Sequence, residues 1–227
     1  MAQVLKPELR DRIHGAALRC FAEHGYPATS MATIAAAAGT ATANVYRYVA
    51  SKEALFDAVV PRELVTRHDA LLDRRVATLA DGSSETSAAA LELLEFWLDH
   101  RLQVVVLLDR AGGTPYASYP AAFVRRLVEH VVAALPTPPA GAHQDVLELV
   151  FDNTRRAIAR ILLIARDRDH AHALVAAFWS YQLPGLDGLL AHLSRVQRCA
   201  DTGPQPQSPA GPLPGPPVSN RERGPTP

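Results

Sequence analysis

Residues 30–52, SMATIAAAAGTATANVYRYVASK, decide the fold of this 227-residue chain. The first part repeats apolar residues at the i, i+3, i+4 and i+7 spacing of one helix face: Met31, Ile34, Ala35 and Ala38. Ser30 stands where a hydroxyl oxygen can cap that helix. Gly39 follows directly, and glycine readily adopts the left-handed conformation that ends a helix and turns the chain. The pattern predicts a short helix that ends at a glycine turn.

A second short helix is predicted over residues 42–49. Val45 and Val49 can face back onto the first helix, which leaves a polar outer side. A helix, a glycine turn and a helix with an exposed polar side make a helix-turn-helix, whose second helix fits the major groove of DNA. The same periodicity also fits a solvated helical hairpin that binds no partner.

The candidate DNA contacts come from this unit: Ser30, Thr40, Thr42, Ala43, Asn44, Tyr46, Arg47, Tyr48 and Lys52. Side chains that can bind phosphate belong to four of them: Tyr46, Arg47, Tyr48 and Lys52. Thr42 and Asn44 carry short polar groups that can meet base edges. Ala43 is small enough for the backbone to approach the groove closely.

Spaced positions between residues 25 and 55 form a family pattern: Gly25-Tyr26, Thr29-Ser30-Met31, Ile34-Ala35, Ala38-Gly39, Val45-Tyr46, Tyr48 and Ser51-Lys52-Glu53-Ala54-Leu55. In these positions the chain resembles the DNA-binding domain of the TetR family of bacterial transcriptional regulators. It departs at Thr40-Ala41, where the family usually has Val followed by Ser or Thr. The hydroxyl that would cap the second helix is missing at Ala41, so Thr40 or Thr42 is expected to cap it instead.

The resemblance implies a ligand-responsive transcriptional regulator, a repressor that binds a near-palindromic double-stranded DNA operator as a homodimer. It also implies that the last two major helices, about residues 144–165 and 170–198, meet their copies in a four-helix bundle. The core or interface candidates there are Leu147, Val150, Phe151, Ile158, Ile161, Leu162, Leu174, Phe178 and Tyr181. A helical small-molecule or protein-binding module without DNA binding is the alternative that stays open.

The chain predicts an all-α protein in three parts: a helix-turn-helix domain at 1–60, a helical domain at 61–200, and a disordered Pro/Gly-rich tail at 201–227. The resemblance implies that the helical domain at 61–200 is the ligand-binding and dimerisation domain. A first helix is predicted from Pro7 to His24. Pro61 either kinks a helix or starts one. Further helices are predicted at 86–110, 119–135, 144–165, 170–183 and 186–198, separated by loops at 82–84, 112–115 and 136–141 and by Pro184-Gly185. Asp167 and Asp169 are candidate caps.

Composition limits the function. The chain has 23 Lys and Arg against 23 Asp and Glu, and residues 1–60 have six against five, so DNA binding must come from a local patch. Its first residues lack the apolar core of a signal peptide, no apolar run reaches bilayer length, and only Cys20 and Cys199 are present. We therefore expect a cytoplasmic protein with no membrane partner. Catalytic, nucleotide-binding and zinc-protease motifs are absent, which predicts no enzyme activity and no cofactor.

An unknown small-molecule effector is predicted to bind among the long body helices. The candidates are aromatic and polar residues of those helices and their loops: Phe96, Trp97, His100, Arg101, Tyr116, Tyr119, Phe123 and Trp179. Arg101, if buried, needs a carboxylate or an anionic ligand. His170 and His172 diverge on a helix, so no metal site is predicted.

Overall fold

The computed structural model describes residues 6–80, 88–133, 135, 138–139 and 141–201, without the side chains of 79–80 and 196–201. Within these ranges the protein is all-α, as predicted, with ten α-helices and no strand. The helices are α1 (Pro7–His24), α2 (Met31–Ala37), α3 (Thr42–Tyr48), α4 (Lys52–Val59), α5 (Arg62–Ala80), α6 (Ala88–Asp99), α7 (Arg101–Val105), α8 (Tyr119–Ala133), α9 (Ala142–Ile164) and α10 (Arg168–Asp201). The chain continues from α7 through a π-helical turn, Val106–Arg110. Among the described helices, none has both the length and the apolarity needed to cross a bilayer.

Helices α1 to α4 form the N-terminal head. The predicted bounds of α1 are confirmed, and Pro7 occupies its first turn. Every residue of the predicted α2 stripe is buried, from Met31 to Ala38, and Cys20 is a buried free thiol as expected. Phe21, Tyr26 and Phe56 pack with ring centroids 5.3–5.7 Å apart. This aromatic cluster fixes α1, the following loop and α4 relative to one another.

Pro61 starts a new helix rather than kinking a long one. Val60 has a non-helical backbone (φ −127°, ψ 69°), and α5 begins directly after the proline at Arg62. The inner row of α5 is buried: Leu64, His68, Leu71, Leu72 and Val76. The helix that leaves the head is therefore anchored in the body along its length.

The prediction of one continuous helix over 86–110 is wrong. Helix α6 ends at Asp99, His100 has φ −119° and ψ 36°, and α7 begins at Arg101. The break places the Arg101 guanidinium at the last carbonyls of α9, where it donates to Leu162 O (3.1 Å) and Ala165 O (2.6 Å). A tertiary contact thus accompanies the break. The predicted start at residue 86 and the loop at 82–84 lie outside the described residues.

The predicted interruption of the last helix at Pro184-Gly185 is also wrong. Helix α10 runs unbroken from Arg168 to Asp201 with Pro184 inside it. Proline removes one N–H, which leaves the carbonyl of Ser180 without its usual partner. Ser180 and Pro184 are both exposed, so water can reach that carbonyl.

The remaining boundaries follow the sequence closely. Helices α8 and α9 lie within two residues of the predicted bounds. Asp167 caps α10, since its Oδ1 accepts from His170 N at 2.7 Å; Asp169 lies inside the helix. Half of the predicted linker at 136–141, and the predicted disordered tail from residue 202 onward, lie outside the described residues.

Candidate DNA-binding surface and ligand cavity

The turn between α2 and α3 is built by Ser30, Gly39 and Arg12. Ser30 Oγ accepts from Thr33 N at 3.0 Å, which confirms the predicted cap of α2. Gly39 has φ +64°, and a Cβ there would lie 2.9 Å from Arg12 Nη2. That guanidinium donates to Ala38 O (2.5 Å) and Gly39 O (3.3 Å), at the C-terminal end of α2. Arg12 therefore holds the turn against α1, a role that the sequence did not reveal.

Helix α3 is anchored on the head by Val45, which is fully buried, while Val49 is half-buried just after the helix. The opposite side is open: Tyr46 is 53% exposed, and Ala43 and Arg47 are exposed. Thr42 and Asn44 are half-buried at its edge. The structure thus presents a polar side of α3 to the surroundings.

The predicted threonine cap of α3 is wrong. Ala41 occupies the cap position without any side-chain bond, and the helix starts at Thr42. The Thr40 hydroxyl instead accepts from Asn44 Nδ2 at 3.1 Å. This bond orients the Asn44 amide, since it uses one of its two N–H donors.

Lys52 is held inside the head more than the sequence suggested. Its Nζ donates to Tyr26 O and Thr29 O, both at 3.0 Å, and lies 4.1 Å from the centre of the Tyr26 ring. Tyr26 also donates its hydroxyl to Glu53 Oε1 at 3.0 Å. Burial, then the Glu53 carboxylate, raises the pKa of Tyr26 to about 12. These residues link the start of α4 to the loop after α1 and leave Lys52 one N–H for an outside partner.

Tyr48 lies at the end of α3 beside the start of α1. Its hydroxyl accepts from the Lys6 backbone N–H at 3.0 Å, and its side chain is half-buried against the core. The phenolic hydrogen remains on the oxygen and can still be donated.

The body contains a cavity of about 340 Å³ between α5, α6, α8, α9 and α10. Three predicted ligand contacts line it: Trp97, Phe123 and Trp179. The structure adds lining residues at helical spacing on α9 and α10 that the sequence search missed, among them Phe151, Thr154, Ile158, Val175, Gln182 and Leu186. Their i+3 and i+4 spacing was visible, but it did not distinguish a cavity wall from a packed core.

The other five predicted ligand contacts do not line this cavity. Arg101 caps α9 instead of pairing with a carboxylate or a ligand. His100 packs on Phe96 with ring centroids 4.7 Å apart, and Tyr116 packs on Phe56 of the head at 6.2 Å. Tyr119 lies behind the cavity wall in a polar network. Aromatic rings made four of them candidates and a charge made Arg101 one, but all five pack against other parts of the protein.

A buried histidine network lies directly behind that wall. Trp97 Nε1 donates to His68 Nε2 at 2.9 Å, and His68 Nδ1 is 2.5 Å from the Tyr119 hydroxyl. Tyr119 donates to Asp69 Oδ1 at 2.8 Å, and Arg126 donates to the same oxygen at 2.8 Å. Burial lowers the pKa of His68 to about 4, and burial followed by the Asp69 charge raises the pKa of Tyr119. The network joins α5, α6 and α8.

In the described part of the chain, no group of three or more His, Cys, Asp or Glu is arranged to hold a metal ion.

A helix-turn-helix head whose second helix exposes a polar side is the arrangement by which DNA-binding regulators of the helix-turn-helix class enter the major groove. Residues 13–59 match the family model described as "Bacterial regulatory proteins, tetR family". The predicted resemblance to that family is therefore confirmed over residues 13–59, all of which lie in the head.

Three solved structures resemble 73–84% of the chain weakly. A tetR-family transcriptional regulator from Streptomyces coelicolor is 20% identical, with 84% of this chain and 90% of that chain covered and a TM-score of 0.36. NalD, the secondary repressor of the MexAB-OprM multidrug efflux pump in Pseudomonas aeruginosa, is 22% identical, with 76% and 95% covered and a TM-score of 0.34. The fatty acid degradation regulator FadR from Bacillus halodurans is 16% identical, with 73% and 100% covered and a TM-score of 0.34. No curated protein matches the sequence.

Proposed function

We propose that this protein is a cytoplasmic, homodimeric repressor that binds a near-palindromic operator and releases it when a small molecule enters the body cavity. The exposed polar side of α3 carries the proposal, since the buried Val45 fixes that side outward. In this role the chain acts by binding rather than by catalysis. DNA from the region flanking its own coding sequence is the first operator to test by gel shift.

The geometry of α3 supports separate roles for its side chains. Asn44 gives one N–H to Thr40 and keeps Oδ1 and the other N–H, the pair that an adenine edge requires. Thr42 lies two residues before it and can meet a neighbouring base. Tyr46 and Arg47, both exposed, can contact phosphates on either side of the groove.

The remaining predicted contacts support the docking of α3. Lys52 can offer its third N–H to a phosphate at the start of α4, and Tyr48 can offer its phenolic hydrogen. Ser30 lies at the start of α2, the helix that faces the DNA backbone in a docked helix-turn-helix. Thr40 orients Asn44, and Ala43 leaves room for close approach.

Asn44→Ala is expected to relax base preference, whereas Tyr46→Phe weakens binding evenly across sequences. The amide reads one position, where its loss costs about 10- to 100-fold in discrimination. The phenolic hydroxyl of Tyr46 contacts only the DNA backbone, which is the same in every sequence. Fluorescence anisotropy with a panel of single-base operator variants measures both, with Thr66→Ala, exposed on α5, as the control. An equal loss on every sequence for Asn44→Ala would exclude it from base reading.

The alternative without DNA binding gives a different result in the same assay. A regulator should bind its operator with an affinity that falls steeply as salt rises, because phosphate contacts release counterions. A folded dimer that binds no flanking DNA at low salt would instead favour the helical binding module.

The outer side of α9 and α10 supports the dimer. Leu149 is 63%, Ile164 44% and Tyr181 78% exposed, although all three are large and apolar. Four of the core or interface candidates belong to the core of the subunit: Leu147, Phe151, Ile158 and Leu162. Val150, Ile161, Leu174 and Phe178 are half-buried. A second copy packed on α9 and α10 would cover the exposed residues.

Replacing both Leu149 and Tyr181 with aspartate is expected to produce a monomer at micromolar concentration. Two buried charges would oppose the apolar contact, and losing the paired half-site should weaken operator binding about 100-fold. Light scattering after size exclusion measures the mass, and Ala121→Asp, exposed on α8, is the control. A double variant that remains a dimer would place the interface elsewhere.

The cavity is the proposed effector site because it is lined by the helix that leaves the head. Leu72 and Val76 of α5 form part of its wall, and only two residues separate the end of α4 from the start of α5. A ligand that binds more tightly to one position of α5 would favour that position. The distance between the two heads of the dimer would then move toward or away from the operator spacing. The size of this population shift is limited by the difference in ligand affinity between the two positions of α5.

A further inference from the structure

We propose that the cavity takes an uncharged, largely apolar ligand with one carbonyl or hydroxyl group, and that the Gln182 amide is the contact that selects it. The proposal rests on the proposed role of the cavity as the effector site. It adds the chemical class of the ligand and the residue that discriminates.

The charges in the wall argue against a charged ligand. Among the described lining residues none is a carboxylate, so a cation would find no counter-charge. Of the two basic lining residues, His172 Nε2 lies 3.4 Å from the Glu95 carboxylate, and Arg75 Nη1 donates to the neutral Thr78 Oγ1 at 3.2 Å, so Arg75 is the one described lining residue whose charge could attract an anion. An anion would lose its hydration to enter a wall of leucine, valine and aromatic side chains. Neutral ligands carry no such penalty.

One polar pair interrupts the apolar wall. Thr154, 3% exposed, donates its hydroxyl hydrogen to Val150 O at 2.8 Å. Its oxygen can then only accept, so the nitrogen of the Gln182 amide must face it, at 2.9 Å. This bond fixes the amide orientation and ties α10 to α9. Within the described residues, Gln182 Oε1 and its second N–H make no bond to protein.

This arrangement gives the ligand a defined anchor. A ligand carbonyl can accept from the second N–H of Gln182, and a ligand hydroxyl can donate to its Oε1. A ligand of the same shape without a polar group would leave the amide desolvated and unpaired, which a site of this kind discriminates against. The amide therefore selects among molecules that the apolar wall accepts equally.

Four naphthalenes of matched shape test the proposal by calorimetric titration of the full-length protein without DNA. 2-Acetylnaphthalene should bind about tenfold tighter than 2-ethylnaphthalene, because only the ketone satisfies Gln182. 2-Naphthoate and 2-naphthylmethylammonium should each bind at least about tenfold weaker than the ketone. Tightest binding by either ion would overturn the uncharged class, and no binding by any of the four would overturn the cavity as a site for such ligands.

Gln182→Leu tests the anchor. Leucine keeps the approximate volume, so the ketone and the ethyl compound should bind within about twofold of each other. Thr154→Val removes the acceptor that holds the amide, so the ratio of the affinity for the ketone to that for the ethyl compound should fall, but by less than in Gln182→Leu. This variant replaces Gln182→Leu as the test if the leucine variant does not fold. Gln144→Leu is the matched control, since Gln144 contacts Glu148 on the surface at 3.3 Å and should leave the ratio unchanged.

An unchanged ratio in a folded Gln182→Leu protein would exclude the amide as the selecting contact. Each of these results is independent of DNA. Operator binding by the same proteins, measured by anisotropy, reports on the proposed repressor role. A failed ligand preference with intact operator binding would therefore overturn this inference alone.

Discussion

Arg155→Met is expected to lower the free energy of unfolding by about 3–5 kcal/mol, the usual loss when one member of a buried ion pair is removed. The Arg155 side chain is only 6% exposed. It donates to Asp152 Oδ1 at 2.6 and 2.9 Å, to Asp109 Oδ1 at 3.2 Å and to the carbonyl of Leu108. Methionine fills much of the space but removes all of these donors, so that Asp152 keeps only Arg156 and Asp109 keeps only Arg110 as a partner.

Arg156→Met is the matched control, because the neighbouring arginine pairs with the same carboxylate from outside. Arg156 Nε lies 2.7 Å from Asp152 Oδ2, yet its side chain is 66% exposed. Water screens such a pair, so we expect a loss of at most about 1 kcal/mol. Urea unfolding followed by circular dichroism measures both variants. Equal losses would mean that Arg155 acts as an ordinary surface charge.

Arg155 also lies between the ligand cavity and the part of the body that touches the head. It lies on α9 beside Thr154, which lines the cavity, and it holds Leu108 and Asp109 of the π-helical turn. The segment after that turn touches the head, where a Cβ on Gly113 would lie 3.3 Å from Pro27. Gly113 also has φ +76°, a backbone conformation that glycine adopts more readily than other residues. Arg155 thus connects the cavity wall to the junction between body and head.

The head could be predicted from the sequence because its signals are local. Ser30, Gly39 and Pro7 each act within a turn of their own position, and each appears where the pattern placed it. The family pattern carried less information about DNA contacts. Lys52 belongs to that pattern, but two of its three N–H donors hold the loop after α1, a structural task that a motif cannot separate from phosphate binding.

The body was harder to predict because distant side chains decide its details. The break at His100 accompanies the reach of Arg101 to α9, about sixty residues away in sequence. Gln182 and Thr154 lie on helices whose polar residues usually face solvent, so neither was a candidate for the cavity. His68 gave a usable signal, since it stands in an otherwise apolar i+4 row between Leu64 and Leu72. Its partners come from other helices and could not be predicted.

Lowering the pH toward 4 is expected to destabilise the protein by about 3 kcal/mol through His68 alone. Burial lowers the pKa of His68 from 6.5 to about 4 in the folded protein. Between these values the unfolded chain binds a proton that the folded protein does not. The stabilisation is therefore complete above pH 6.5 and is lost as the pH falls toward 4.

The hydrogen bonds explain why the folded protein resists this proton. Trp97 donates to His68 Nε2, so the neutral ring must carry its hydrogen on Nδ1 and direct it to the Tyr119 hydroxyl. A proton added at Nε2 would set two donors against each other in a buried site. Burial, and after it the Arg126 charge, disfavour the charged ring, and together they outweigh Asp69, which favours it.

His68→Gln separates this contribution from the titration of every other group. Glutamine can keep one bond to the Trp97 N–H but does not titrate, so the variant should be less stable at pH 7 and lose less stability on acidification. The difference between wild type and variant, measured by urea unfolding from pH 7 to pH 4, should shrink by about 3 kcal/mol. His24→Gln, at an exposed histidine, is the control and should follow the wild type. A constant difference between wild type and His68→Gln across that range would mean that His68 accepts its proton in the folded protein as readily as in the unfolded chain.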